Sequence, residues 1–198
     1  MNAEYQRANW NDTFINIAHT IAKRSHDSQT QCGAVIVGED NRIRGLGYNG
    51  FPQGAPDSDL PNTRPEKYKW VVHAEVNAIL NCEHRPEGCT IYLTGFPCLN
   101  CTITMINAGI KCIIYDTSQE ISMIDEQMIY DVTYIASKCD IEIIKFEQGG
   151  CREIISSSSK SDFRKFLERA SKRVSEWPEW QQNIGFDMES QVPGWDTK

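Results

Sequence analysis

"GCTIYLTGFPCLNCTITMINAGIKCIIY", residues 88–115, holds two short apolar runs, "CTIYLT" (89–94) and "KCIIY" (111–115), with a helix-length segment between them. Pro97 suits the opening of a helix over about 98–108, where its missing N–H costs nothing, and Gly109 suits its close. Strand, helix and strand in immediate succession form a crossover unit, which sets the two strands parallel in one sheet. Runs that are apolar throughout belong to strands covered on both faces. The stretch therefore points to a layered α/β fold.

Outward from this unit the pattern repeats. "GAVIV" (33–37), the turn-forming "GEDN" and "RIRGLGY" (42–48) read as a β-hairpin. Trp10, Phe14, Ile17 and Ile21 form a helical stripe ahead of it. Val71, Val72, Val76, Ile79 and Leu80 mark a helix at 74–83. Ile121, Ile124, Met128, Val132 and Ile135 mark another, and "IEIIKF" (141–146) is a last strand. The order α-β-β-α-β-α-β-α-β predicts a three-layer α-β-α fold around a five-strand mixed sheet. That domain spans 1–150. Residues 151–198 form a separate C-terminal helix and a tail bearing Trp177, Trp180 and Trp195, with no role assigned. Residues 49–69, rich in Pro, Gly and Asp, read as one long loop of the kind that usually serves function. The charges of "RPEKYK" (64–69) within it read as a solvated face.

Composition removes whole classes of function. A hydrophobic content of 40% supports a core, and a net charge of −7 opposes a protein built to coat nucleic acid or an anionic membrane. No apolar run approaches the roughly 18–20 residues of a membrane span. "MNAEYQRANWNDTF" lacks a signal-like apolar core, so a cytoplasmic location is expected. The eight cysteines then read as reduced thiols or metal ligands. Cys98 and Cys101 alone have ligand spacing, whereas Cys112 and Cys139 sit in apolar runs as core residues.

Cys98 and Cys101, three apart at a helix start, share one face, and the helix N-terminus favours their thiolates. His73, at the start of the preceding helix, supplies a third ligand and leaves one position of a tetrahedral zinc open, as catalytic zinc requires. Two thiolates cancel the metal's charge, so a nearby base becomes useful, and Glu75 fits that role. The N–H of Ala74 can hold a substrate carbonyl. A structural zinc completed by Cys82 or Cys89, in a non-catalytic interaction module, is the alternative; it leaves Glu75 unexplained. His19 reads as structural, His26 and His84 as surface residues.

His-x-Glu followed by Pro-Cys-x-x-Cys is the arrangement of zinc-dependent nucleobase deaminases. With "WNDTFINIAHTIAKRSHDSQTQCGAVIV", "GLGYNGFPQG" and "YKWVVHAEVNAILN", the opening stretch resembles the deoxycytidylate deaminases of the cytidine deaminase superfamily, over about residues 8–147. The resemblance implies hydrolytic deamination of dCMP to dUMP and ammonia, with one zinc ion per chain on His73, Cys98 and Cys101 and with Glu75 as proton shuttle. It implies substrate contacts from Asn49, Ala74 and Tyr115. It also implies a homohexamer activated by dCTP and inhibited by dTTP with Mg²⁺, the effector pocket involving Arg24, His26, Asp27, Gly47, Asn49 and Gly50. The loop 49–69 has no Cys or His, so a second, structural zinc is not expected. "DTSQE" (116–120) lacks the tyrosine often found after the strand at 111–115, which leaves the phosphate contacts unassigned. A tRNA adenosine deaminase, which would want a basic surface, and a deaminase of free cytidine are the other readings within the superfamily.

Overall fold

The computed structural model describes residues 7–116 and 126–147, and the backbone of 150–155. Six strands form one mixed sheet: β1 (Gly33–Val37), β2 (Ile43–Tyr48), β3 (Thr90–Leu93), β4 (Cys112–Asp116), β5 (Glu142–Glu147) and β6 (Gly150–Ile155), in the order β2-β1-β3-β4-β5-β6. β1 pairs antiparallel with β2 and β3, whereas β3, β4 and β5 run parallel in succession. These are the five strands expected from the sequence. β6 adds an antiparallel edge that was not anticipated, because "GCREII" interrupts its apolar residues with Arg152 and Glu153. The compact unit carrying the sheet extends to residue 157, and the remaining residues, with the helix and Trp tail expected there, lie outside the described residues.

Alternation along the strands makes two cores. Ala34, Ile36, Ile91, Leu93, Ile113 and Ile143 face α2 (Ala74–Leu80), α3 (Leu99–Ala108) and α4 (Glu126–Lys138). Val35, Val37, Tyr92, Ile114 and Phe146 face α1 (Trp10–Ala22) on the other side. Asn9 caps α1, its Oδ1 accepting from the Asp12 amide at 2.8 Å. Of the α4 stripe, Ile121 and Ile124 fall outside the described residues.

Two helical stripes differ from the sequence reading. On α1 the buried face is Phe14, Ile15, Ala18 and Ala22, while Trp10 is 57% exposed. On α2 it is Ala74, Glu75 and Ala78, and Leu80 is 72% exposed. Close backbone approach causes both shifts. A Cβ at Gly33 would lie 2.1 Å from the Ala18 carbonyl oxygen, and one at Gly47 would lie 2.2 Å from that of Ala74. Helices seated this closely place alanines, Ala18 and Ala74, at the points of contact. Gly47→Ala should therefore push α2 off the sheet and cost about 1–3 kcal/mol, the usual penalty of overpacking. Denaturant unfolding together with bound-zinc analysis checks this: both stability and zinc retention should fall, and an unchanged midpoint would refute it.

The long loop is closed at its base. Gly50 and Val72 exchange two backbone hydrogen bonds, Gly50 N–H to Val72 O at 3.1 Å and Val72 N–H to Gly50 O at 2.8 Å. Within the loop a short 3-10 turn spans Glu66–Lys69. Among the described residues no helix is long and apolar enough to cross a membrane.

Candidate active site

His73 and Cys98 occupy the same position on two helices. Each is the residue before the first helical turn, with extended backbone, φ −72° and ψ 155° for His73, φ −75° and ψ 163° for Cys98. Neither side chain caps its own helix, so both are free to meet each other. Cys101, one turn into α3, is buried beneath them. His73 Nδ1 lies 3.6 Å from Cys98 Sγ and 3.3 Å from Cys101 Sγ, and the three donor atoms fall within 4.8 Å of one another. Zinc bonds of about 2.3 Å to sulfur and 2.0–2.1 Å to nitrogen, at a tetrahedral angle, put N and S roughly 3.6 Å apart. The trio fits a zinc ion with little adjustment.

The alternative with a fourth cysteine is not what the chain builds. Cys82 Sγ donates to the Ala78 carbonyl at 3.4 Å and Cys89 Sγ to the Glu87 carbonyl at 3.8 Å. Among the described residues His73, Cys98 and Cys101 are the one metal-competent group.

Electrostatics agree with the geometry. The hydrogen bond from the Cys101 thiol outweighs burial and, with that from His73, holds the Cys98 thiol down at about 4. The same hydrogen bond, with burial, pushes Cys101 up, and the bond to Cys98 raises His73 against its desolvation. Metal binding to these groups would release protons. Glu75, 8% exposed, stands in the first turn of α2 but outside the ligand trio. Burial pushes its carboxyl above the usual carboxylate range.

A cavity of about 210 Å³ opens over this centre. The trio's His73 and Cys98, with Ala74 and Glu75, line it. Asn49 lines it too, with its amide largely engaged: Oδ1 accepts from the Cys32 amide at 2.7 Å and Nδ2 donates to the Thr30 carbonyl at 2.9 Å. One N–H of that Nδ2 is left over. Tyr115 departs from its expected place at the substrate. It is buried behind the cavity wall against Phe96, ring centroids 5.1 Å apart, and burial lifts its hydroxyl to about 12.

The residue pattern that decides the family lies within one span. A family model described as the cytidine and deoxycytidylate deaminase zinc-binding region matches residues 8–117. The chain belongs to this deaminase family. Human deoxycytidylate deaminase is 42% identical over 113 residues, 54% of this chain and 64% of that protein, so the chain spans less than two thirds of the human relative. The deoxycytidylate deaminase of Mycobacterium phage D29 is 36% identical over 123 residues, 55% of this chain and 95% of the phage protein. The crystal structure of dCMP deaminase from the cyanophage S-TIM5 in complex with dCMP and dUMP shares the fold, with a TM-score of 0.56 at 22% identity, over 72% of this chain and 100% of that one.

In this deaminase-family chain the six residues expected around an effector are not equivalent. Arg24 is exposed just past α1. His26 packs against Phe51, ring centroids 4.4 Å apart and planes tilted by 46°, with Nδ1 3.6 Å from Asp57 Oδ1 and Nε2 buried without a partner. Gly50 lies beside it, a Cβ there falling 3.8 Å from His26 Nδ1. Gly47, by contrast, gives its open space to α2. Asp27 is buried and accepts from Lys67 Nζ at 2.5 Å and from the amides of Gln29 and Thr30 at 2.8 and 3.1 Å. His19 pairs with Asp116 at 2.7 Å, the structural role read for it.

The reading of residues 64–69 as a solvated face holds for Arg64, Glu66 and Lys69, which are exposed, and needs correction at Lys67. Lys67 is buried, and Arg64, Lys67 and Tyr68 all line the cavity. The missed signal is a pair: the buried acid lies 40 positions before the lysine, and no local pattern links them.

Proposed function

We propose that this chain is a cytoplasmic, zinc-dependent hydrolase that converts dCMP to dUMP and ammonia. What carries the reading is Glu75: a buried carboxyl on the cavity wall, beside three metal-ligating side chains and not one of them. A structural zinc site has no use for such a group. Zinc, when bound to His73, Cys98 and Cys101, supplies Lewis acidity that lowers the pKa of water. Glu75 takes a proton from the attacking water and delivers it to the departing amine nitrogen, work that suits a carboxyl whose pKa burial has raised. Ala74, at the first position of α2, has an N–H without an intrahelical partner, which holds the ring carbonyl. The spare N–H of Asn49 reaches the sugar. Leu93, Val71 and Phe96 give the ring apolar walls.

Ammonia release from dCMP, CMP, cytidine, deoxycytidine and a tRNA, measured side by side with the zinc-loaded protein, tests this. dCMP should be the preferred substrate, and turnover confined to a nucleoside or to tRNA would overturn it.

Regulation belongs to the same proposal. The chain assembles as a homohexamer, dCTP raises activity at low dCMP and dTTP lowers it, both with Mg²⁺. Supporting this, His26, two residues past the exposed Arg24, stands where the loop leaves Gly50, whose partner Val72 directly precedes His73. An effector acts there only by binding two loop states with different affinity. Arg24→Ala should weaken both responses and leave saturated turnover intact. Superimposable dCMP curves with and without each triphosphate would remove this part alone.

A further inference from the structure

We infer that Asp27 is a positioning residue for substrate binding: the turn it holds at residues 27–30 aims the Asn49 amide, and with it the contact to the sugar. The inference rests on the deamination reading above, in which Asn49 reaches the sugar, and gives Asp27 a task apart from effector binding.

Asn49 lies just past β2 and is 6% exposed. Its amide takes its orientation from one irregular segment between α1 and β1. Oδ1 accepts from the Cys32 N–H and Nδ2 donates to the Thr30 carbonyl. The backbone N–H of Asn49 donates to the Cys32 carbonyl at 3.2 Å as well. A backbone donor on one side and a backbone acceptor on the other leave the amide a single orientation. The second N–H of Nδ2 is therefore aimed by whatever fixes residues 30 and 32.

A carboxylate does much of that fixing. Asp27 Oδ1 accepts from the Gln29 and Thr30 amides at 2.8 and 3.1 Å, the hydrogen bonding of an aspartate that closes a turn on the residues after it. Thr30 is thus gripped at both ends, its N–H by Asp27 and its carbonyl by Asn49. The carboxylate is itself held, because Oδ2 takes Lys67 Nζ and both side chains are only 3% exposed. With both oxygens engaged, Asp27 acts on the site through Asn49. Hydrogen bonds weaken steeply with misalignment, so loosening this turn loses the sugar contact and leaves the metal ligands alone.

The test uses the zinc-loaded full chain, with Lys67→Met in every Asp27 variant so that no lysine is left buried without its partner. Asp27→Asn keeps the acceptor and is the reference; Asp27→Ala removes it. Calorimetry gives dUMP affinity, and steady-state assays give KM and kcat for dCMP, all below the melting midpoint of each protein. Relative to Asp27→Asn, Asp27→Ala should weaken dUMP and raise the dCMP KM by about 2- to 13-fold, the worth of one uncharged hydrogen bond. The loss should fall on KM and not on kcat. Adding Asn49→Ala should cost a similar factor beside Asp27→Asn and nothing further beside Asp27→Ala, where the contact is already gone. Asp27→Ser, which makes the same turn more weakly, should fall between the two and replaces the alanine protein if that does not fold. Equal dUMP affinity with and without the acceptor, or losses that add to that of Asn49→Ala, would overturn the assignment. A protein that shows this pattern with dUMP but releases no ammonia from dCMP in its wild-type form would count against the deamination reading alone.

Discussion

Glu75→Gln should retain one zinc per chain and lose at least about 10³-fold in dCMP turnover, since in the proposed mechanism one side chain both accepts and returns the proton and such transfers are worth about 10²–10⁴. Glutamine keeps the shape and the polar contacts of the buried carboxyl, so the thermal midpoint should hold. The loss then falls on kcat with bound metal unchanged. Cys98→Ala behaves differently. It removes a ligand at the mouth of α3, so zinc, turnover and thermal stability should go together. Metal analysis and turnover on the same preparations separate the two patterns. Residual activity above a few percent in Glu75→Gln at full zinc content would end its role as proton shuttle.

Lys67→Met should cost about 3 kcal/mol, a fall of roughly 6–12 °C in the thermal midpoint. The substitution leaves the Asp27 carboxylate buried without its counter-ion. The cost sits at the low end of the range for broken buried pairs because the Gln29 and Thr30 amides stay with Oδ1. The pH dependence carries a sign. Burial raises the Asp27 carboxyl, but Lys67 and the two amides overcome this and hold it below the usual carboxylate range. In the wild type its stabilisation is therefore present above the unfolded pKa of about 3.9 and fades only as pH falls through the lower folded value. In Lys67→Met only the two amides still oppose burial and the folded pKa rises, so the deficit is full at neutral pH and shrinks as acid protonates Asp27. Melting curves of both proteins between about pH 3 and 8 should converge at the acid end. A constant gap would mean that the two side chains are not coupled.

What could be read from the sequence is what local rules govern. Pro97 and Gly109 bracket α3, "GAVIV" and "KCIIY" declare doubly covered strands, and the spacing of His73, Glu75, Cys98 and Cys101 carries the metal chemistry. What escaped is what depends on partners far along the chain. Lys67 looks like any surface lysine until Asp27 is folded against it. Arg64 lies in an aperiodic loop, and only the fold brings it to Thr30. Gly47 suggests room for a ligand when read alone, and the fold fills that room with the backbone of α2. Tyr115 has the composition of a binding residue and the strand position of a core one, and packing against Phe96 decided for the core.

The bridge between Gly50 and Val72 closes the neck of the loop one residue before His73. The second half of the loop is tied down again inside that neck, Asn62 to His26, Arg64 to Thr30 and Lys67 to Asp27. The closure entropy of a loop grows only with the logarithm of its length, about 0.6 kcal/mol for each doubling. Extra residues at the exposed turn Pro52–Gly54 are therefore cheap for the fold, whereas exchange of residues 62–67 is not. For an engineer the consequence is practical: length can be added at that turn, and the half that carries Lys67 has to be kept.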